Sequence, residues 1–387
     1  MEEDKNLSQK ISVYSPGKVV FGNGSLNQFI DDFSGSGFIK LFVLAIPELK
    51  PLIEEKFKPV LKKGIDFKIS CDIQKEPSFA DFFKILSEAQ KYGSDSIAGI
   101  GGGSVMDTAK LLAAWVDKGV ERKRELADNS KLSRNVYLAC IPTTSGTGSE
   151  VSPNAIFFDE EKGKVGIIHP ALVPDGAYID PELTESLPPG LTAATGLDAL
   201  THCIEAYVNR FAHPVTDLLA LEGIRLLGKN LRLAFFDGKN NYARSKVALG
   251  SLYGGMCLGP VNTGAVHALA YPLGSKYKIA HGVSNALMLP HVMKFNLESA
   301  PGKYARVALA MGAETQNSDI ETAQAGIEII KTMMADFNLP SKLSELQIKE
   351  GEIESLAHSA LQVQRLLKNN VREVSLMNAI YLYRKAF

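Results

Sequence analysis

The period of the apolar positions changes part-way along the chain. In the first half, short apolar runs alternate with amphipathic stretches. Ile39–Ile46 (IKLFVLAI), Phe67–Asp72, Ser96–Gly101 (SIAGIG) and Val136–Ile141 (VYLACI) read as strands. Between them, Ser78–Tyr92 and Val105–Asp117 carry apolar residues at helical spacing. Near-continuous apolar runs suit strands buried on both faces, and the alternation of strand and helix points to a parallel sheet covered by helices. Residues 11–21 (ISVYSPGKVVF) predict two short strands around a Pro16-Gly17 turn.

The character shifts near Pro188-Pro189-Gly190. Beyond it the periodic segments are long: Leu191–Asn209, Pro214–Asn230, Ala243–Cys257, Asp319–Phe337 and Ile353–Leu367. Strand-like runs are few there. The expectation is α/β plus all-α: a doubly wound α/β domain over residues 1–188, then a helical domain over residues 189–387. Two domains create a cleft, the usual place for a ligand.

Composition narrows the function class. The 387 residues are 45% hydrophobic and 22% charged, an ordinary globular balance. A formal net charge of −1 gives no electrostatic case for nucleic acid or a membrane surface. No apolar run reaches the length of a membrane span, and the start, MEEDKNLSQK, lacks the basic and apolar parts of a signal peptide. Cys71, Cys140, Cys203 and Cys257 are scattered with no CxxC pair, which reads as buried thiols in a reducing compartment. A cytoplasmic enzyme is expected.

Two loops carry candidate chemistry. Gly99-Ile100-Gly101-Gly102-Gly103-Ser104 follows a strand and opens a helix. Glycines let a backbone approach phosphate, and a helix N-terminus offers N–H groups and partial positive charge to an anion. Ser104 at the N-cap and Asp107 three residues on fit a capping box. A tight strand-to-helix turn would also use glycine, but three in a row exceed that need. The second loop, Pro142-Thr143-Thr144-Ser145-Gly146-Thr147-Gly148-Ser149-Glu150, follows the fourth strand, where open α/β sheets bind ligands. Neither loop is the G-x-G-x-x-G fingerprint.

A third constellation lies in the helical half. Asp198 and His202, four residues apart in LTAATGLDALTHCIEAYV, share one helix face. Alone, such a pair is more often a solvated hydrogen bond. His267 and His281 each sit among small and apolar residues, where an unsatisfied imidazole is costly. Three imidazoles and one carboxylate suit Fe²⁺ or Zn²⁺. His169, His213, His291 and His358 carry no motif and read as structural or solvated.

At this point the chain resembles the iron-dependent, or group III, alcohol dehydrogenase family over nearly its whole length. The resemblance rests on Gly101-Gly102-Gly103-Ser104-x-x-Asp107-x-Ala109-Lys110, Pro142-Thr143-Thr144-x-Gly146-Thr147-Gly148-Ser149-Glu150, Asp180-Pro181, Leu187-Pro188, Asp198-x₃-His202 and His267-x₁₃-His281, in the family order. It implies a Rossmann-like domain followed by a helical metal- and substrate-binding domain, as in dehydroquinate synthase. It implies hydride transfer between NAD or NADP and a small alcohol, aldehyde or hydroxy acid, in a homodimer or larger homo-oligomer. It implies cofactor contacts at Gly101, Gly102, Gly103, Ser104, Asp107, Thr143, Thr144, Thr147, Ser149, Lys164 and Leu183, and metal ligation by Asp198, His202, His267 and His281. The four-ligand set favours Fe²⁺, with Zn²⁺ as the alternative used by related glycerol dehydrogenases and dehydroquinate synthases.

Three positions depart from the family pattern. Tyr271 stands where many members carry a second histidine that relays protons, and is similar to the hydroxyacid–oxoacid transhydrogenase branch. A transhydrogenase that keeps its cofactor is therefore the alternative function, and Tyr271 is the candidate catalytic group. Ile46 stands near the place of an Asp that holds the adenosine ribose, so nothing there repels a 2′-phosphate. Lys75-Glu76-Pro77 replaces the usual Pro-Asn-Pro. A lyase of the dehydroquinate synthase type would need several cations by the metal, and Leu191–Tyr207 and Asn262–Tyr271 contain no Lys or Arg. A non-catalytic binding protein fits poorly with a complete ligand set.

Overall fold

A computed structural model describes residues 8–73, 77–118, 132–159 and 163–387. The chain divides into two compact units. One comprises Tyr14–Thr144 and Ser149–Thr184; the other comprises Glu185–Phe387 with Ser145–Gly148 and the segment ending at Val13.

The first unit is a doubly wound sheet. Six strands, β1 (Lys18–Phe21), β2 (Lys40–Ala45), β3 (Asp66–Ser70), β4 (Ser96–Gly101), β5 (Tyr137–Pro142) and β8 (Gly176–Ile179), lie in the order β1-β8-β5-β4-β2-β3. All their pairings are parallel. The alternation of side chains supplies both faces. Leu41, Val43, Ile100 and Ile141 face one apolar cluster with Phe29 and Phe57, from α1 (Ser25–Ser34) and α2 (Lys50–Leu61). Phe42, Leu44, Ile97 and Leu138 face the other, with Phe82 from α3 (Phe79–Tyr92) and Met106 from α4 (Gly103–Trp115). Helix α3 starts in a Ser78–Asp81 capping box and ends at Gly93 in the left-handed region.

Strands β2 and β4 are neighbours, yet the chain leaves β2 towards one edge and β4 towards the other. That is the reversal of strand order at which such sheets bind ligands. The helix–sheet contact is tightest beside it. A Cβ on Gly99 would lie 2.8 Å from Ala109 Cβ, and one on Gly101 would lie 2.6 Å from Val105 Cγ2. Two of the glycines in this loop are therefore demanded by the seating of α4 on β4.

Several expectations need correction. Only Lys18–Phe21 of residues 11–21 is a strand; among the described residues Ile11–Ser15 finds no partner in the sheet. A hairpin of β6 (Asn154–Asp159) and β7 (Gly163–Ile168) pairs antiparallel outside the main sheet, and it and the four-residue β8 escaped the apolar pattern. The Ser104–Asp107 capping box does not form. Helix α4 begins earlier, with Gly102 at its N-cap and no side-chain cap. Asp107 is buried, and its carboxylate accepts instead from Ser149 Oγ at 2.5 Å and Ile156 N at 2.9 Å.

The second unit is helical: α5 (Pro189–Tyr207), α6 (Pro214–Phe236), α7 (Asn241–Leu258), α8 (Ala265–Tyr277), α9 (His281–Asn296), α10 (Pro301–Met311), α11 (Asp319–Asp336), α12 (Ile353–Leu361), α13 (Gln364–Leu367) and α14 (Leu376–Lys385). The predicted segment Ile353–Leu367 is two helices, because Val363 leaves helical geometry at ψ 49. Helix α5 is buried around most of its circumference, so its ends and polar residues are held by neighbours on several sides. Among the described residues, no helix is long and apolar enough to cross a membrane.

Glu150 gives the first unit a pH signature. Its carboxyl is buried, and burial pushes it from the ordinary 4.5 up to about 7 against the opposing charge of Lys110. The folded chain then holds this proton where the unfolded chain has lost it. The associated stability is complete below about pH 4.5 and is lost as pH rises through about 7, with an upper scale of about 3 kcal/mol. Glu150→Gln should remove that loss. The difference in thermal midpoint between variant and parent should grow in the variant's favour from pH 5 to pH 7; a constant difference would count against this assignment.

Candidate metal and cofactor site

Helix α5 carries three polar side chains on one buried face. Asp198, His202 and Glu205 follow one another at helical spacing and are 3%, 5% and 5% exposed. Two further helices bring imidazoles to that face. His267 lies in the first turn of α8, and His281 is the first residue of α9. The N-terminus of α9 comes so close to α5 that a Cβ on Gly282 would sit 2.0 Å from the Ala194 carbonyl oxygen. Only glycine after His281 allows that approach.

The resulting cluster is compact. Donor atoms of Asp198, His267 and His281 all lie within 4.8 Å of one another. Asp198 Oδ1 is 3.5 Å from His267 Nε2, 3.7 Å from His281 Nε2 and 3.8 Å from His202 Nε2. His202 stands at the rim of the trio, its ring stacked on His267 at 4.8 Å between centroids. The side chain of His281 is 31% exposed, against 4% for Asp198 and His267, so the cluster opens on the His281 flank.

Each buried ring is fixed from behind. His202 Nδ1–H donates to the Gly146 carbonyl at 3.2 Å, which leaves Nε2 towards Asp198. His267 Nδ1–H donates to Glu205 Oε2 at 2.5 Å, and the other oxygen of Glu205 accepts from Val266 N at 2.6 Å. Glu205 thus orients a ring and holds the first turn of α8 at once. A histidine ligand whose second nitrogen is bound to a carboxylate or carbonyl has its tautomer set for metal binding.

Asn285, one turn after His281, tests whether the cluster fits a cation. Its Nδ2 lies 2.6 Å from Asp198 Oδ1, 3.1 Å from His267 Nε2 and 3.2 Å from His281 Nε2. An amide has two N–H bonds and here faces three candidate acceptors. Its own Oδ1 is buried without a partner. One carboxylate oxygen and two imidazole nitrogens converge on that single amide nitrogen, and one divalent cation in its place would meet all three atoms. The donor chemistry, imidazole nitrogen with a carboxylate, is that of Fe²⁺ or Zn²⁺.

The charges agree. Burial works to raise the Asp198 pKa, yet the neighbouring His202, His281 and His267 hold it far below the carboxylate range. Burial lowers His202. Burial also works to lower His267, but Glu205 and Asp198 outweigh it and push that ring up to about 10. Two buried carboxylates therefore call for positive charge at this place, which a proton or a metal can supply.

The predicted cofactor residues fall on the first unit's loops and beyond. Thr143 N donates to the Gly101 carbonyl at 3.0 Å, and Gly102 lies against Thr144, where an added Cβ would be 3.5 Å from its side chain. Gly101, Gly102, Thr143 and Thr144 are thus brought together at the C-terminal ends of β4 and β5, with Gly103 and Ser104 opening α4. Asp107 and Ser149 are bonded to each other. Lys164 lies on β7, and Leu183 follows β8 against the apolar cluster of α1 and α2. Thr147 belongs to the short segment grouped with the helical unit, where Gly146 and Gly148 pack on Thr195 and Gly255. Lys75 and Glu76 lie outside the described residues.

Sequence reasoning missed Glu205, Asn285 and Arg365. Glu205 and Asn285 had a faint signal, since each extends a ligand-bearing helix face by one turn. Arg365 had none: it reaches Tyr271 across 94 residues, its Nη2 donating to the Tyr271 hydroxyl at 2.9 Å. His169 and His213 are structural, as read, each accepting from a backbone N–H at a helix start.

Comparison with known proteins bears on this geometry. Residues 16–181 match the family model described as iron-containing alcohol dehydrogenase, and residues 192–387 match that of the C-terminal part of the Fe-containing alcohol dehydrogenase family. The chain is 36% identical over 372 residues to long-chain-alcohol dehydrogenase 1 of Geobacillus thermodenitrificans, covering 95% of this chain and 94% of that one. It is 32% identical over 378 residues to lactaldehyde reductase of Escherichia coli K12, covering 95% and 97%. The solved structure of a 1,3-propanediol oxidoreductase superposes with a TM-score of 0.93 at 31% identity, covering 98% of this chain and all of that one.

Glu205→Gln tests the positioning argument. Glutamine keeps one acceptor oxygen but loses the charge and one of the two bonds to α8. Divalent-metal affinity, measured by competition with a chelator, should fall on the order of 10- to 100-fold. Parental affinity in a folded Glu205→Gln protein would contradict the role assigned to this carboxylate.

Proposed function

This chain belongs to the iron-containing alcohol dehydrogenase family, and on that premise we propose that Asp198, His202, His267 and His281 hold one divalent cation, Fe²⁺ first and Zn²⁺ second, for hydride transfer between NAD(P) and a small alcohol or aldehyde. The observation that carries this is the trio of donor atoms within 4.8 Å around an amide that cannot satisfy them all. When bound, the cation supplies Lewis acidity at the substrate oxygen.

The chain's own residues do the rest. Gly101, Gly102, Gly103 and Ser104 bind the cofactor pyrophosphate at the N-terminus of α4, which has no side-chain cap to compete. Thr143, Thr144, Thr147, Ser149, Lys164 and Leu183 are assigned to the cofactor as well. Asp107 acts through Ser149, whose hydroxyl it holds. Ile46, at the end of β2, brings no carboxylate against a 2′-phosphate, which supports use of NADP(H) as well as NAD(H). In oxidation the alcohol carbon gives a hydride to the nicotinamide and the hydroxyl gives up a proton. Tyr271, whose ring lies 6.0 Å from that of His281, is the group assigned to pass that proton on. Residues 1–188 serve as the cofactor domain and residues 189–387 as the metal and substrate domain. The working form is a cytoplasmic homodimer or larger homo-oligomer.

His267→Ala should lose metal and turnover together while keeping cofactor affinity, read by metal analysis, alcohol oxidation and NAD(P)H fluorescence. Full activity in a metal-free His267→Ala protein would end the metal mechanism. Tyr271→Phe should lower turnover, and an unchanged rate across the pH range would remove Tyr271 from proton transfer.

A further inference from the structure

The open flank of the cluster leads to a cation, Arg365, with no counter-ion among the described residues. His281 is the most exposed of the clustered side chains, and Tyr271 lies beside it. Arg365, on the short helix α13 that packs against α8, donates to the Tyr271 hydroxyl at 2.9 Å. Its guanidinium carbon sits 5.7 Å from the centre of the same ring. Among the described residues no carboxylate lies at ion-pair distance from Arg365. The half-buried guanidinium keeps most of its five N–H donors, in a planar fork that matches a carboxylate.

The hydroxyl of Tyr271 adds to this. Because its oxygen accepts from Arg365, its own proton is directed elsewhere. Arg365 and Tyr271 together thus offer a donor array next to the exposed flank. The charge count points the same way. A divalent cation would balance Asp198 and Glu205, so the positive charge of Arg365 would remain over.

We propose that Arg365 and Tyr271 form an anion subsite, and that the substrate is an alcohol or aldehyde carrying a carboxylate or sulfonate away from the reacting carbon. This rests on the hydride-transfer reading given above and specifies its substrate class. It also assigns Tyr271 a binding role besides proton transfer.

The test compares the metal-loaded protein acting on 3-hydroxypropanoate and 4-hydroxybutanoate with propan-1-ol and butan-1-ol, in NAD⁺ and in NADP⁺. The ratio of kcat/KM for the acid over the alcohol of equal length is the readout. Loss of the proton-transfer part of Tyr271 alone would lower both rates and leave the ratio alone. In the parent, at least one acid should be preferred by roughly tenfold or more, and Arg365→Met should abolish that preference, with Arg365→Lys between. Butanoate and ethanesulfonate binding, followed by calorimetry, gives a readout independent of turnover. Both should bind the parent and weaken roughly tenfold in Arg365→Met. Turnover of plain alcohols with no preference for acids, or anion binding indifferent to Arg365, would overturn the subsite. Anion binding that depends on Arg365 in a protein that oxidises none of the four substrates would support the subsite and count against the hydride-transfer reading instead.

Discussion

The helical unit is organised around one buried carboxylate. Burial alone would raise the Asp198 carboxyl, yet positive charge on the imidazoles that converge on it holds it far below the carboxylate range. An unpaired buried charge costs several kcal/mol, so whatever holds those rings in place also holds the charge. Glu205 orients His267 and pins α8, the Gly146 carbonyl orients His202, and Gly282 lets α9 come within reach. Removing any of these would leave Asp198 facing fewer partners. The close helix contacts and the ligand geometry are one arrangement seen from two sides.

The loop 142–150 shows how one stretch serves several ends. Thr143 and Thr144 lie beside the glycine loop of the sheet, the Gly146 carbonyl orients His202, and Ser149 is bonded to Asp107. Small residues recur because close packing demands them: a Cβ on Gly148 would sit 2.2 Å from Gly255 Cα, and its backbone has a φ of +60°. A reading of this loop as a ligand contact alone would overlook its part in building the imidazole cluster.

Much of this was legible in the chain. The strand Ser96–Gly101 was read to its exact bounds because its small apolar residues end in glycine at the helix start. Helix α5 announced itself through its spacing, and the buried polar face that meets the imidazole cluster through Asp198 and His202. The rest depended on contacts that no local pattern encodes. Strand β6 alternates buried and half-buried residues, but its partner β7 is named by no local pattern. Asp107 has the spacing of a capping residue, yet tertiary partners on Ser149 and Ile156 outcompete that use. The absence of Lys and Arg near the metal motif was a local truth; the fold brings Arg365 to Tyr271 from far along the chain. One arginine does not make the cationic pocket a lyase would need, but it places a cation beside Tyr271 that no local pattern revealed.

The most direct test of the account is anomalous scattering from crystals of the protein grown with Fe²⁺, recorded at the iron and zinc edges. The account predicts one peak per chain, enclosed by Asp198 Oδ1, His267 Nε2 and His281 Nε2, with His202 Nε2 completing the set. A metal peak elsewhere, or full alcohol oxidation by crystals from the same preparation with no metal among these four side chains, would contradict it.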